Sequence, residues 1–213
     1  HHHQINIWLK KNGYSIDSWF SPFWSHRYAF IKAIDEVWLT FPESYINWNK
    51  KDIHKIEIKD ISLLKSSLEK IFGWNENFID DNDGIILYMH QTLHDEGIIE
   101  RDFIKKLKLR FPDKKIYLKP HPLASKKEIE TYKLNGIYLI DSDVPAELFI
   151  LNIKNSIILS INSTSMFLNN PENKFYYLHE IFEKDIKRLQ KYNIKIHPGP
   201  HIKLAKSIDD INF

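Results

Sequence analysis

Four short polar motifs in the middle of the chain carry side chains suited to acid–base chemistry and anion binding. In chain order they are His94-Asp95-Glu96-Gly97, Lys119-Pro120-His121-Pro122, Asp143-Val144-Pro145-Ala146-Glu147 and Asn162-Ser163-Thr164-Ser165. A carboxylate can accept a proton from an attacking hydroxyl, and an imidazolium can bind a departing phosphate and protonate it. A lysine and the hydroxyls at a helix N-terminus suit the same anion. If the fold brings these motifs together, they predict an active site.

The elements that would position the motifs are alternating strands and helices. Each motif follows an apolar run, and these runs predict strands over Ile85–Met89, Ile116–Leu118, Ile137–Ile140 and Ile157–Ile161. Helical patterns occur near Ile98–Arg110, over Ser125–Leu134, from Pro145 and, briefly, from Ser163. A last strand, Phe175–Leu178, precedes a helix over Ile181–Tyr192. This alternation predicts an α/β fold with a parallel sheet covered on both faces. Ligands bind such sheets at the carboxyl ends of the strands, so the four motifs should share one rim.

The chain is predicted to contain two domains, residues 4–78 and residues 79–213. The first domain is tryptophan-rich, and its predicted elements are a helix over Tyr28–Ile34, strands over Glu36–Phe41 and Ile53–Ile58, and an amphipathic helix over Ser62–Phe72. The Asn- and Asp-rich stretch Asn75–Gly84 is typical of a linker.

Composition narrows the class of protein. A hydrophobic content of 43% with a net charge of +2 predicts a globular protein and no nucleic-acid partner. The chain has no cysteine, which excludes disulfides and cysteine-ligated metals. No metal-ligand constellation stands out, and no apolar run reaches the roughly 20 residues of a spanning helix. Basic residues between Arg101 and Lys127 fit either a solvated helix face or attraction to an anionic membrane surface or substrate. The segment His1–His3 is interpreted as part of a purification tag.

Each motif also has a purely structural interpretation. Asp95 could cap the helix that follows it, and His121 could be a turn histidine that caps the next helix. Glu147 could interact with a helix dipole, and Ser163 could be an ordinary N-cap. A second His-Pro segment, His197-Pro198-Gly199-Pro200-His201, is predicted to be structural or part of a lid.

Taken in order, the acidic pair before a glycine, the His-Pro and the Ser-Thr resemble the three-motif signature of bacterial sialyltransferases. The strings Ile116–Pro122 and Val144–Leu148 are most similar to glycosyltransferase family 52, which contains the lipooligosaccharide α-2,3-sialyltransferases. The similarity extends from about Trp8 to the C-terminus and includes Phe41-Pro42-Glu43-Ser44-Tyr45.

This resemblance implies a GT-B architecture with two Rossmann-like domains, the N-terminal one truncated or incomplete because its usual opening strand and Gly/Ser-containing loop are not found. It also implies an inverting, metal-independent and cofactor-free transfer of sialic acid. The donor would be CMP-sialic acid, and the acceptor a galactose-ended lipooligosaccharide or capsular glycan. A homodimer in the cytoplasm, peripheral to the inner membrane, is expected on the same basis.

The resemblance also assigns roles to motif residues. Asp95 would be the general base on the acceptor hydroxyl, with Glu96 as the alternative, and His121 would neutralise or protonate the leaving phosphate. The expected donor-binding residues are Lys119, Pro122, Glu147, Ser163 and Thr164. Among them, the two hydroxyl residues would bind the phosphate and the glutamate would bind the ribose.

Two other functions remain open from the sequence. One is a family member that uses another donor, such as a UDP-hexose. The other is a non-catalytic nucleotide- or glycan-binding module, in which the aromatic segment Trp19–Trp24 could stack on sugars or pack in the core.

Overall fold

A computed structural model describes residues 36–39, 52–55, 65–92, 97–133, 136–140, 143–183 and 199–213. The chain divides into two compact units, residues 1–59 and residues 60–213. The division predicted from the sequence, at residues 78 and 79, stays a prediction, as does the GT-B arrangement of two Rossmann-like domains. The predicted helix Tyr28–Ile34 lies outside the described residues.

In the first unit, the described residues form two parallel strands. β1 (Glu36–Leu39) pairs with β2 (Asp52–Lys55), and Val37 lies opposite Ile53 in the register. The strands predicted over Glu36–Phe41 and Ile53–Ile58 are therefore confirmed over the residues that the structure describes.

The second unit is built on a six-stranded sheet whose neighbouring strands are all parallel. Its strands are β3 (Ile86–Met89), β4 (Ile116–Lys119), β5 (Ile137–Leu139), β6 (Ile157–Ser160), β7 (Lys174–Tyr177) and β8 (Ile202–Leu204). The predicted α/β class and the five predicted strands of this unit are confirmed to within a residue or two. The prediction that β7 is the last strand is wrong. β8 is only three residues long, Ile-Lys-Leu, which is too short to show strand periodicity.

Helices connect these strands. They are α1 (Lys65–Phe72), α2 (Gly97–Arg110), α3 (Lys126–Glu130), α4 (Ala146–Asn152) and α5 (His179–Phe182). The described residues also form 3₁₀ helices over Glu76–Phe78, Thr164–Phe167 and Ile208–Asp210. α2 and α4 begin within one residue of the predicted positions, and α5 begins two residues earlier than predicted, while its predicted end at Tyr192 lies outside the described residues.

The structure confirms the N-terminus predicted for α3 and corrects its length. Ser125 accepts a hydrogen bond from the N–H of Glu128 at 3.1 Å, and Glu128 Oε2 accepts from the N–H of Ser125 at 3.3 Å, which completes a capping box. The α-helix ends at Glu130 rather than near Leu134. Its last turn tightens to bonds between residues three apart, because the N–H of Thr131 and that of Tyr132 donate to the carbonyls of Glu128 and Ile129.

The sheet separates two cores, and successive strand residues point alternately into them. In β3, Ile86 and Tyr88 belong to one core, whereas Leu87 and Met89 belong to the other. α2 packs into the first core and α4 into the second. This burial on both faces explains why the strands appear in the sequence as continuous apolar runs.

The spatial order of the strands is β5-β4-β3-β6-β7-β8. Numbered within this unit, the order is 3-2-1-4-5-6, which is that of the dinucleotide-binding Rossmann fold. The order reverses between β3 and β6, and the loops that leave these two strands therefore diverge. That divergence opens a crevice at the carboxyl ends of the strands, which is where open α/β sheets bind their ligands.

Candidate active site

A cavity of about 660 Å³ occupies this crevice. Its walls come from the segment after β3, the turn after β4, the start of α4 and the segment after β6. Six of the eight predicted site residues line it: Lys119, His121, Pro122, Glu147, Ser163 and Thr164. The other two, Asp95 and Glu96, lie outside the described residues, immediately before the first residue of α2. The structure therefore brings the predicted donor-binding residues together, and the position of the predicted base stays a prediction.

The turn after β4 holds His121 in one orientation. Pro120 and Pro122 restrict the backbone on either side, and the carbonyl of His121 accepts a hydrogen bond from the N–H of Ala124 at 2.9 Å. The N–H of Leu123 donates to His121 Nδ1 at 3.1 Å. Because Nδ1 is the acceptor, the proton of the neutral imidazole is on Nε2. His121 therefore has one N–H available as a hydrogen-bond donor to an anion in the cavity.

Two effects make His121 less basic than a free histidine. Burial lowers the pKa of His121, and the positive charge of Lys119 lowers it further, whereas Glu128 opposes both. Lys119 is itself buried, and its Nζ lies 5.9 Å from the centroid of the Phe149 ring. His121 is thus mainly neutral near pH 7 before an anion binds. A bound phosphate would raise its pKa again, because a nearby negative charge favours the imidazolium.

The hydroxyl segment after β6 forms a 3₁₀ helix in which Ser163 is the N-cap. Ser163 Oγ accepts from the N–H of Ser165 at 3.3 Å, and the N–H of Ser163 donates to Ser160 Oγ at 3.2 Å. The interpretation of Ser163 as an N-cap is therefore confirmed, and the N–H groups of Ser163 and Ser165 both have partners within this segment. The Ser163 hydroxyl still has its O–H to donate, since a hydroxyl is both donor and acceptor. Thr164 is exposed at the same edge.

Glu147 links the two sides of the crevice. Its side chain is in the first turn of α4, and its Oε1 accepts a hydrogen bond from Ser165 Oγ at 2.8 Å. Pro145, the N-cap residue of α4, provides no side-chain cap. The position of Glu147 therefore suits both predicted roles, an interaction with the helix dipole and an acceptor for ribose hydroxyls.

Sequence reasoning missed His90, which lines the same cavity. It directly follows β3, as the Lys-Pro-His-Pro turn follows β4, and its side chain is fully buried. Its Nδ1 accepts a hydrogen bond from the N–H of His121 at 3.4 Å. The rule that was applied to the other strands, that polar residues immediately after a buried strand reach the rim, would have found it.

The second His-Pro segment is partly described. His197 and Pro198 lie outside the described residues. His201 places its Nε2 2.8 Å from the carbonyl oxygen of Met166, and its ring packs edge-on against Phe175 at 5.1 Å. This contact supports the 3₁₀ helix after β6, which agrees with the structural interpretation of His201.

The described residues show neither a metal site nor a membrane-spanning helix. No group of three or more His, Asp or Glu side chains there is arranged to hold a metal ion. No helix among the described residues has both the length and the apolar character needed to cross a membrane.

Comparison with known families gives one match that covers most of the chain. The family model for alpha-2,8-polysialyltransferase (POLYST) matches residues 24–196, a range that contains all four motifs. A search of curated proteins finds no match.

Proposed function

The chain belongs to the alpha-2,8-polysialyltransferase family and is a sialyltransferase that uses CMP-sialic acid and a glycan acceptor, and we propose that it inverts the donor's anomeric configuration without a metal ion. The observation that carries this proposal is the convergence of the Lys-Pro-His-Pro turn and the Ser-Thr-Ser segment on one cavity. The narrower assignment to glycosyltransferase family 52 stays a prediction.

In the proposed reaction the acceptor hydroxyl attacks the anomeric carbon of sialic acid. The bond from that carbon to the phosphate oxygen breaks, and its electron pair remains on CMP. The hydroxyl proton passes to a carboxylate, for which Asp95 is the first candidate and Glu96 the second. Both directly precede Gly97, where α2 begins. We propose this role for them from the motif alone, since their positions lie outside the described residues.

The leaving phosphate would be bound by groups that the structure places in the cavity. His121 Nε2–H and the Ser163 hydroxyl are donors, and Lys119 supplies a positive charge at the end of β4. Donors and charge in a partly buried site stabilise the charge that develops on the leaving group. They can therefore perform the function that a metal ion serves in other nucleotide-sugar transferases.

The remaining donor contacts follow from position. Glu147 is proposed to accept hydrogen bonds from the ribose hydroxyls, as an acid that follows a strand does in Rossmann folds. Thr164 lines the proposed phosphate side of the cavity, and Pro122 forms part of its wall.

The acceptor is proposed from the family. The family name specifies an α-2,8 linkage, which joins a sialic acid to O8 of another. We therefore propose a glycan that ends in sialic acid, such as a capsular chain, as the first candidate acceptor. The galactose-ended lipooligosaccharide or capsular glycan expected from the resemblance to glycosyltransferase family 52 is the second.

The wider organisation is also a proposal. A GT-B arrangement, a homodimer and a cytoplasmic location peripheral to the inner membrane all follow from the same resemblance. Sedimentation analysis of the purified chain tests the dimer, and fractionation of producing cells tests the location.

The donor is tested by calorimetric titration with CMP and with UDP in the presence of a chelator, together with a transfer assay on both acceptor classes. His121→Ala is the test variant. Leu123→Ala is its control, because Leu123 is in the same turn, is 78% exposed and does not line the cavity.

We expect CMP to bind without metal, His121→Ala to weaken binding and transfer, and Leu123→Ala to leave the affinity for CMP unchanged. Tighter binding of UDP than of CMP would overturn the assignment of CMP-sialic acid as the donor and favour the UDP-hexose alternative. CMP binding with no transfer to any acceptor would favour the non-catalytic module. Normal transfer by His121→Ala would overturn the proposed role of the turn.

A further inference from the structure

His90 is a buried histidine, and burying an imidazole is unfavourable unless its nitrogens find hydrogen-bond partners. It follows β3, its side chain is fully inaccessible to solvent, and the edge of its ring packs against Tyr132 with 5.1 Å between ring centroids. Nothing in the proposed reaction uses it. Buried polar side chains are normally retained because they satisfy another buried group.

The group that His90 satisfies is the N–H of His121. The two prolines of the turn have no N–H, so His121 contributes the single backbone donor of the Pro120-His121-Pro122 segment. That donor points at His90 Nδ1, 3.4 Å away. Without the His90 imidazole this N–H would have no partner among the described residues, although the backbone bond from the N–H of residue 90 to the carbonyl of Lys119 would still join the start of the turn to the segment after β3.

Two glutamate side chains fix the orientation of the His90 ring. Because Nδ1 accepts a hydrogen bond, the proton of the neutral ring is on Nε2. Nε2 lies 3.2 Å from Glu128 Oε1 and 3.6 Å from Glu100 Oε2, although neither contact has hydrogen-bond geometry. The acceptor oxygens of these two side chains favour the tautomer with its proton on Nε2, and that tautomer leaves Nδ1 able to accept.

The two carboxylates are themselves held from several elements. Glu100 of α2 accepts hydrogen bonds from Tyr88 of β3 at 2.6 Å and from Tyr132 after α3 at 3.1 Å. Glu128 belongs to the capping box of α3. The position of His90 is therefore determined by β3, α2 and α3 together.

We propose that His90 is a positioning residue for sialyl transfer, which anchors the backbone N–H of His121 and thereby aims its Nε2–H at the donor phosphate. The inference rests on the proposed function of the turn. His90 acts through the backbone of His121 and has no part in the proposed proton transfers.

Three variants test this role. His90→Phe keeps a ring to pack against Tyr132 but removes both nitrogens. His90→Asn restores an acceptor close to the position of Nδ1, because the amide oxygen Oδ1 of asparagine can replace that nitrogen. His179→Phe is the matched control, since His179 is another buried histidine that follows a strand, has no hydrogen bond to Nε2, and does not line the cavity.

Two readouts separate positioning from a general loss of stability. The first is CMP affinity and kcat/KM at a temperature where all variants are folded. We expect His90→Phe to lose about 100-fold in kcat/KM, the scale of a misplaced catalytic group. We expect His90→Asn to recover to within about 5-fold of wild type, the size of one imperfect hydrogen bond. His179→Phe should bind CMP with wild-type affinity even if its Tm falls as far as that of His90→Phe.

The second readout does not depend on the donor. Amide hydrogen exchange of His121 should be slow in wild type and in His90→Asn, and fast in His90→Phe. Equal protection of His121 in all three proteins would overturn the proposal, and so would full transfer activity in His90→Phe or no recovery in His90→Asn. If wild type neither binds CMP nor transfers sialic acid, the proposed function fails, and the exchange of the His121 amide still decides whether His90 anchors the turn.

Discussion

The buried pair Glu100 and His90 should determine how the free energy of unfolding depends on pH in two variants of the protein. Burial raises the pKa of Glu100 to about 7, although hydrogen bonds from Tyr88 and Tyr132 and from the backbone of Gln91 act in the opposite direction. Burial also lowers the pKa of His90 to about 4. The charge of Glu128 acts to raise this pKa, and a positive charge on His121 acts to lower it. Each pKa moves in the direction that keeps the buried group uncharged.

In wild type the effects of these two shifts on the pH dependence of stability cancel between about pH 4.5 and pH 6.5. In the unfolded chain between about pH 4.5 and pH 6.5, the glutamate is ionised and the histidine is protonated. In the folded protein the carboxyl keeps its proton and the imidazole is neutral. Both states hold one proton on the pair, so folding moves a proton from histidine to glutamate. Because the slope of stability with pH is set by the difference in bound protons, the pair contributes no slope in this window.

Glu100→Gln should remove this cancellation. The pKa of His90 is depressed, so its contribution to the free energy of unfolding is present above about pH 6.5 and is lost as the pH falls towards 4. The shift of His90 corresponds to about 3 kcal/mol, with a slope of about 1.4 kcal/mol per pH unit. Because Glu100 is itself uncharged in this window, replacing it with the uncharged glutamine should leave the shift of the His90 pKa in place.

His90→Asn should have the opposite slope. The pKa of Glu100 is raised, so its contribution is present below about pH 4.5 and is lost as the pH rises through about 7, again by about 3 kcal/mol. Urea unfolding followed by circular dichroism at pH 4.5, 5.5 and 6.5 measures both slopes. Each is taken as a difference from wild type, so that titration of the remaining groups cancels. Glu130→Gln is the control, because it makes the same chemical change at a side chain that is 62% exposed.

The result that would refute this reasoning is a pH profile of Glu100→Gln parallel to that of wild type from pH 4.5 to 6.5. Slopes of the same sign in Glu100→Gln and His90→Asn would refute it equally. Either result would mean that the pair does not exchange a proton internally on folding.

Three further outcomes are expected. In an NMR titration, the pKa of His121 should lie below the usual range of histidine in the free protein and should rise when CMP binds, since the phosphate favours the imidazolium; an unchanged pKa would mean that the phosphate is elsewhere. In wild type, 2′-deoxy-CMP should bind about 10-fold more weakly than CMP, and Glu147→Gln should reduce this ratio; an unchanged ratio would remove Glu147 from the ribose site. Ser125→Ala should lower the free energy of unfolding by about 1 kcal/mol through loss of the capping box, measured by urea unfolding, while Ser67→Ala, at an exposed position inside α1, should cost much less.

The central fold was predictable because its strands are buried on both faces. Runs such as Ile157–Ser160 contain no polar residue until their last position, and a parallel sheet with helices on both sides is the fold that such runs fit. The start of α3 was predictable for a local reason, since Ser125 and Glu128 form a capping box by themselves. β8 was not predictable, because its three residues are held by pairing with β7 and not by any pattern of their own.

The candidate site was predictable in composition and only partly in detail. Lys119 and His121 were found because they follow a recognisable strand. That the N–H of Ser163 is already bonded to Ser160 Oγ could not be foreseen, because both serines belong to one polar segment that suits several bonding patterns. The anchoring role inferred for His90 depends on the N–H of His121, which is 31 positions away in the sequence. Contacts of this kind are set by the topology and leave no local signal.

The topology also explains why the motifs that follow β4, β5 and β6 line one cavity. β4 and β6 are the two neighbours of β3, so the motifs after them open on either side of the crevice. β5 is at the edge of the sheet, and its motif would be remote if α4 did not carry the chain from β5 across to β6. The start of that helix brings Glu147 within 2.8 Å of Ser165, which follows β6. This hydrogen bond joins the proposed ribose side of the crevice to the proposed phosphate side. One crossover of the chain thus contributes to both sides of the crevice, which is why the third motif lines the cavity despite the position of its strand.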